Sequence, residues 1–462
     1  MSENSSFKGN GRLLTGIVLS VLTFWLFAQS LVNIAPTLHE EFSSNMGLIN
    51  TAISITALFS GMLVVSAGDI SDKVGHIKMA YIGLWLNILG SILIILTSSL
   101  TLLFLGRIIQ GISAAIIMPS TLSIVKSYYI GKHRQAALSY WSIGSWGGGG
   151  IASFLGGIVS TFLGWRWIFV ISILVSILAL ILIKGTPETV RKGMQFKKKF
   201  DYIGTILLVI LILSINLIIT QSLNFGILST TILSLIFIFI ISTILFILVE
   251  KNSKTPLINF SIFKDRGFTG STSSNFLMNA LAGTLIVGNT FVQEYLHFNS
   301  FQSGLLTITY LITVLVTIKI GEKILQHFGA KKPMVIGTLL NTIGIIFIAL
   351  TFLPSNLYII SCVIGYFIYG LGLGFYATPS MDTVVANSNQ EHIGMASGVY
   401  KMSSSLGNAF GVALSSTLYL VAKSAFNVQF GAFLGFAFNI ALAFIALIIV
   451  FIAIPNSNKN YN

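Results

Sequence analysis

Long apolar runs separated by short polar gaps recur along this chain from Leu13 to Ile454. A helix needs about twenty apolar residues to cross roughly 30 Å of hydrocarbon. Fourteen runs reach or approach that length, near 13–34, 48–68, 79–98, 101–124, 137–162, 167–184, 203–221, 228–249, 268–292, 302–319, 334–353, 356–380, 395–421 and 431–454. Inside a bilayer the backbone has no water to bond, so each run is predicted to be an α-helix that satisfies its own N–H and C=O groups. Residues 1–12 are polar, and the run that follows is too long for the apolar core of a cleavable signal, so it reads as the first span.

Composition agrees with a polytopic, all-α membrane protein. Only 8% of the 462 residues are charged and 54% are hydrophobic, where soluble domains carry about 25% charge. The net charge of +13 would suggest nucleic acid in a soluble protein. Here the cations lie in alternate gaps between spans, so the excess reads as topology and no nucleic-acid partner is expected. One set of gaps and tails holds Lys8, Arg12, Lys73, Lys78, Lys126, Lys132, Arg134, Lys184, the cluster 191–199, Lys251, Lys254, Lys264, Arg266, Lys319, Lys323, Lys331, Lys332 and Lys459. The opposite set holds Arg166 and Lys423, while Arg107 and Lys401 fall within spans. The positive-inside rule then places both termini in the cytoplasm. The single cysteine, Cys362, excludes a disulfide framework and reads as a small packing residue.

Two stretches about 260 residues apart resemble one another. MPSTLSIV from Met118 aligns with TPSMDTVV from Thr378, and Pro119, Tyr140 and Gly147 match Pro379, Tyr400 and Gly407. Two parallel six-helix repeats account for twelve spans and leave two in the middle. The expected organisation is therefore an N-terminal half at 1–184, a basic linker with two extra helices at 185–266, and a C-terminal half at 267–462.

Candidate chemistry begins with Arg107, a cation inside the fourth run. A guanidinium at membrane depth costs about 2.5–3.5 kcal/mol or more, so it is expected to face the bundle interior. Gln110 and Gly111 lie three and four residues on, placing an amide and a gap for close helix contact on the same side. After the second run comes GDISDKVGHIK, in which Gly68 and Gly75 are expected to bracket a tight turn. Asp72 is an acid among cations there, suited to docking on the positive N-terminus of a neighbouring helix. No metal-ligand cluster, nucleotide loop or nucleophile–base pair points to an enzyme.

A G-x-[LI]-x-D-[RK]-x-G segment between spans two and three, with R-x-x-Q-G in span four, resembles the signature pair of the major facilitator superfamily. Fourteen spans narrow the resemblance to its drug:proton antiporter branch. TFWLFAQSLVN, ALSYWSIGSWGG, GWRWIF, KGTPET and GLGLGFYATPS look close to the Nor-type quinolone and multidrug efflux pumps of Gram-positive bacteria. The resemblance covers essentially the whole chain. It implies a major facilitator fold of two six-helix halves plus two central helices, in the bacterial cytoplasmic membrane. It also implies proton-coupled export of hydrophobic and cationic drugs by a monomer, driven by the proton gradient with no cofactor. Gly68, Asp72, Lys73 and Gly75 would form a conformational latch, with His76 where arginine is usual. Arg107 would serve proton coupling, and the glycine-rich fifth span would supply the bend at which the halves seal. Span one departs from the pattern: it reads Ala28-Gln29-Ser30-Leu31-Val32-Asn33 where many fourteen-span antiporters carry an aspartate.

With that acid missing, the proton must go elsewhere. Of thirteen acids, most lie in loops or at helix ends, which leaves Glu294 and Asp382. Glu294 is three residues from His297 and would pair with it if the helix continues; Asp382 follows Pro379 near the end of span twelve. Gln326, in the second-half counterpart of the Asp72 segment, stands where the acid would fall. An adaptable chamber would be lined by Trp25, Gln29, Asn33, Gln110, Trp141, Trp146, Tyr369 and Tyr376, whose aromatic faces favour planar or cationic drugs. Asn275, Asn279, Asn289 and Gln293 fall within an arc of roughly 80° on span nine, and face either the chamber or a neighbouring helix. A narrow exporter of one metabolite or lipid-like compound, and a membrane sensor that keeps the fold without transport, are the alternatives.

Overall fold

The computed structural model describes residues 7–28, 38, 41–43, 46–148, 159–160, 162–189, 201–226, 228–253, 256–298, 300–389 and 392–456. Among them every regular element is helical, and the α-helices correspond to the fourteen predicted spans. In chain order these are α1 (Gly11–Ala28), α2 (Met46–Val74), α3 (His76–Ile95), α4 (Leu100–Tyr128), α5 (Gly131–Ser142, continued by a π-turn at Ile143–Gly147) and α6 (Arg166–Ile183). Two further helices follow, α7 (Tyr202–Phe225) and α8 (Thr230–Asn252). The rest comprises α9 (Arg266–Ala280), α10 (Ala282–Tyr295), α11 (Ser300–Phe328), α12 (Lys331–Ile348), α13 (Ser355–Asn387), α14 (Ile393–Ala425) and α15 (Val428–Ala453). Together α9 and α10 make the ninth span. Eleven spans among the described residues are long and apolar enough to cross a membrane as they stand.

Helix starts are written locally. Asn10, Ser99, Asp201, Ser229, Asp265 and Asn427 each accept a hydrogen bond from a backbone N–H three residues on, opening α1, α4, α7, α8, α9 and α15. Such side chains satisfy donors that the first turn leaves without partners. Two helices run past their apolar stretch. The GDISDKVG segment is not a loop bracketed by two glycines: residues 68–74 are the last two turns of α2, and Gly75 alone, at φ 116°, reverses the chain into α3. Likewise α11 extends from the predicted 302–319 to Phe328, and Gly329 at φ 77° turns it into α12. Both glycines adopt a backbone conformation that a side chain would strain.

The chain forms two compact units. The first comprises Met1–Ile212, Ser242–Asn259 and Ser388–Met402; the second comprises Leu213–Ile241, Phe260–Asn387 and Ser403–Asn462. Within the first, α4 packs against α3 and α2, and α6 against α1 and α3. Within the second, α13 packs against α12 and α11, and α15 against α9, α10 and α12. The same partners recur eight spans later, which is the internal repeat seen as packing. Pro119 lies inside α4 and Pro379 inside its counterpart α13. Gly90 and Gly106 meet across α3 and α4, where a Cβ on either would lie 2.9–3.0 Å from the other's carbonyl oxygen. Gly344 and Gly365 do the same across α12 and α13, at 2.8 Å. Small residues allow the backbones this approach, which is how helices gain contact where lipid offers no hydrophobic drive.

The ninth span breaks at Leu281, between α9 and α10. The Tyr369 hydroxyl donates to the Leu281 carbonyl at 3.1 Å, satisfying an acceptor that the break exposes. The break interrupts the polar stripe. Asn275 donates to Ser403 and Ser404 Oγ at 3.0 and 2.7 Å, and Asn279 folds back on Asn275, so this end of the stripe holds helices together. Asn289 is half-buried and Gln293 exposed.

A valine at Gly344 meets backbone on both sides and should lower stability by about 3 kcal/mol or more. Gly304, whose Cβ position is open, should tolerate alanine with a gain of about 0.5–1 kcal/mol. Thermal unfolding of the purified protein in detergent checks both: a clear drop in Tm for G344V and none for G304A.

Candidate functional site

Arg107 is 0% exposed, enclosed by helices of the first unit. Its Nε donates to the Ala52 carbonyl at 3.1 Å and its Nη1 to Gln110 Oε1 at 3.3 Å. Gln110 in turn donates to Ser91 Oγ at 3.1 Å, and Thr56 donates to the Arg107 carbonyl at 3.0 Å. Gly111 lets α2 approach, since a Cβ there would lie 2.7 Å from the Thr56 carbonyl oxygen. The guanidinium is therefore held by carbonyl and amide dipoles, and it faces protein rather than lipid. Asn87 continues the polar interior by donating to Ser172 and Ser176 on α6.

Near the end of α2, Asp72 accepts from the backbone N–H groups of Gly394 at 2.9 Å and Met395 at 3.1 Å. Both donors belong to the first turn of α14, where the helix dipole is positive and N–H groups lack intrahelical acceptors. Gly68 and Gly394 face each other so closely that a Cβ on either would collide with the other's carbonyl. Gly68 thus serves helix approach rather than a turn. His76 Nε2 lies 3.6 Å from Asp72, while its Nδ1 is 2.7 Å from Ser71 Oγ. Lys73 pairs one turn back with Asp69, and Lys126 donates to the Ser388 carbonyl just after α13.

A second carboxylate does the same work at another helix. Glu188 accepts from Ile77 N–H at 3.1 Å and Lys78 N–H at 2.9 Å, closing the first turn of α3. From the sequence Glu188 looks like an ordinary loop acid; the signal for its role is the KGTPET stretch itself. Asp201 and Glu250, expected at helix ends, face each other across Gly204, and Glu250 is 2% exposed with one oxygen accepting from Ile258 N–H at 3.2 Å. Lys401 carries the same sequence signal as Arg107, a cation inside a span. Its ammonium donates to Ser145 Oγ at 2.8 Å and lies 4.7 Å from the centre of the Trp141 ring.

In the second unit Asp382 is 2% exposed within α13. Glu294 is one-third exposed, pairs with Lys423 and accepts from the Tyr419 hydroxyl at 2.7 Å. The expected partnership with His297 does not form: α10 ends at Tyr295, and His297 adopts φ 55° beyond it. Gln326 donates to Glu322 on its own helix at 3.0 Å.

The candidate lining residues divide. Gln110, Trp141, Tyr369 and Tyr376 are at most 1% exposed and committed to contacts between helices. Trp141 Nε1 donates to Thr121 Oγ1 at 3.0 Å, and the Tyr376 hydroxyl is 2.7 Å from Ser274 Oγ. Interior hydroxyls and indoles are drawn to such buried partners. Trp146 is half-buried on the π-turn. Tyr140, matched to Tyr400 in the repeat, is 45% exposed. Gln29, Asn33 and the Trp25 side chain, like Gly149, Gly150 and the rest of the glycine-rich segment to residue 158, lie outside the described residues.

The sequence profile of the Major Facilitator Superfamily matches residues 13–288 and 268–461. Quinolone resistance protein NorB of Staphylococcus aureus strain MRSA252 is 55% identical over 456 residues, spanning 99% of this chain and 98% of that protein, and the strain COL protein matches equally. Among solved structures, the proton:xylose symporter XylE superimposes with a TM-score of 0.68 at 14% identity, over 98% of this chain and 97% of that one. The human organic anion transporter MFSD10 gives 0.67 at 13% identity, over 95% and 99%. At such identities the two structures support the fold alone.

Removing the charge of Asp72 should loosen the α14 N-terminus. Asp72→Asn should cost about 1 kcal/mol at that contact, raising amide hydrogen exchange at residues 393–396 roughly fivefold while leaving α12 unchanged.

Proposed function

Because the chain belongs to the Major Facilitator Superfamily, we propose that it is a proton-coupled efflux antiporter exporting hydrophobic and cationic drugs by alternating access. Quinolones, quaternary ammonium compounds and dyes are the substrates expected. The observation that carries this reading is the 55% identity, over 99% of the chain, to a quinolone resistance protein. The protein sits as a multi-pass monomer in a bacterial cytoplasmic membrane. Both termini are cytoplasmic, as the alternation of lysines and arginines supports. Residues 1–184 and 267–462 act as the two moving halves, and 185–266 is an insert between them. Transport uses the proton gradient, with no cofactor and no covalent chemistry.

Within this reading Asp72, with Gly68, Lys73 and Gly75, is the latch. Its carboxylate holds the first turn of α14 against α2, and a conformational change must break two charge-assisted hydrogen bonds. Arg107 keeps a fixed positive charge in the transport path and biases where a proton can reside. Asp382, a buried acid on α13, is the carboxyl best suited to take that proton, since its charge is costly where it lies. Glu294 already has a lysine partner, so its exchange with substrate would require that pair to open. Trp146 lines the substrate path, and Trp25, Gln29, Asn33, Gln110, Trp141, Tyr369 and Tyr376 join it in other conformations. A second reading, export of one narrow metabolite, is favoured by Ala28 standing where an embedded aspartate is usual.

Expression in a pump-deficient host should raise resistance to norfloxacin, benzalkonium and ethidium severalfold, and an uncoupler should erase the gain. A host that becomes resistant to none of them contradicts drug export. Arg107→Ala should insert normally yet abolish proton-driven dye efflux in vesicles; efflux at the normal rate removes Arg107 from coupling. Asp382→Asn should flatten the pH dependence of efflux, whereas Glu294→Gln should leave it in place. If neither changes it, the proton site lies elsewhere.

A further inference from the structure

Lys401 is a membrane-embedded cation that has no carboxylate partner among the described residues. It lies eight residues into α14, about 12 Å along the helix from Ile393. Its ammonium has three N–H groups. One reaches Ser145 Oγ at 2.8 Å, and the Trp141 ring covers another side at 4.7 Å. Among the described residues no carboxylate comes within ion-pair distance of it. Arg107, by contrast, is wholly enclosed and spends its donors on a carbonyl and an amide. Lys401 as a whole residue is half-buried.

The surroundings are built around this charge. Ser145 belongs to the π-turn of α5, where one extra residue per turn shifts side chains relative to a regular helix. Such turns recur at functional sites. Ser142, one turn earlier, is 0% exposed and its hydroxyl has no hydrogen-bond partner among the described residues. Ser397, one turn before Lys401 on the same side of α14, is likewise 0% exposed, with no partner for its hydroxyl among the described residues. Buried hydroxyls are normally bonded, so two orphans on the two helices that carry the ammonium's partners mark a place where a polar ligand or water completes the set. All of these residues belong to the first compact unit.

We propose that Lys401, with Ser145 and Trp141, is an anion-recognition site that binds the carboxylate of aromatic, carboxylate-bearing substrates. The proposal rests on the efflux reading for its transport consequences, and deepens it by dividing the substrates into two classes. A carboxylate would supply the missing counter-charge and accept the remaining N–H donors in a charge-assisted hydrogen bond. A permanently cationic drug that lacks a carboxylate gains nothing there and is repelled by the ammonium.

Binding and transport test it separately. Quenching of tryptophan fluorescence in the purified full chain measures binding of norfloxacin and of its ethyl ester, which differ only in the carboxylate. The wild type should bind the acid about tenfold more tightly than the ester, Lys401→Met should bind both equally, and Lys401→Arg should restore the preference. Acid and ester binding the wild type equally, or neither binding, overturns the site. In vesicles, Lys401→Met should lose about tenfold in norfloxacin efflux while ethidium efflux is kept; equal loss of both substrates overturns it too. A wild type that discriminates acid from ester in binding but moves neither drug would contradict the efflux reading and leave the anion site standing.

Discussion

A charge carried into hydrocarbon has to find its partners within the protein, because no water or counterion waits there. Three charged side chains of the first compact unit find such partners in different ways, Arg107 and Lys401 within spans and Asp72 where α2 runs past its apolar stretch. Arg107 is enclosed and bonded to the Ala52 carbonyl and the Gln110 amide. Asp72 is bonded to two backbone N–H groups at the start of α14, so a helix end becomes its counter-charge. Lys401 is met only in part, by one hydroxyl and one aromatic face. Complete enclosure favours a fixed element and partial enclosure favours exchange. That gradation gives each residue a different place in the proposed transport cycle.

Helix ends carry the second part of the account. Asp72 and Glu188 each present a carboxylate to the N–H groups of another helix's first turn. The second unit keeps the same packing order but not this chemistry: Gln326 turns back to Glu322 on its own helix. Among the described residues, the first repeat uses its α2-type helix to hold a helix N-terminus by charge, while Gln326 in the second bonds within its own helix. Gly68 against Gly394 allows the contact, since any side chain at either position would keep Asp72 from its donors.

Spans, repeat and family were legible because they rest on hydrophobic length and on side chains at fixed spacing. Arg107 with Gln110 and Gly111 could be placed inside the bundle on the cost of burying its charge and the spacing of one helix turn. Asp72 could be expected at a helix N-terminus, but which helix depends on tertiary packing that no local pattern encodes. The helical nature of residues 68–74 was hidden because their charges break the apolar run, while backbone hydrogen bonding continues regardless of polarity. His297 failed as a partner of Glu294 because the helix stopped two residues earlier, and helix ends are the least determined feature of a sequence. Tyr369 and Tyr376 read as chamber aromatics; their hydroxyls instead satisfy Leu281 and Ser274, needs created by a helix break and a crossing that composition does not announce.

Drug and proton should cross the membrane in opposite directions through this one protein. Purified protein in sealed liposomes with a pH-sensitive dye trapped inside tests it most directly. With an imposed pH gradient, adding norfloxacin or ethidium outside should drain the gradient at a rate that saturates with drug, and reversing the gradient should reverse the net movement of drug. Drug movement that ignores the gradient, or a gradient that drains equally without drug, would contradict the account.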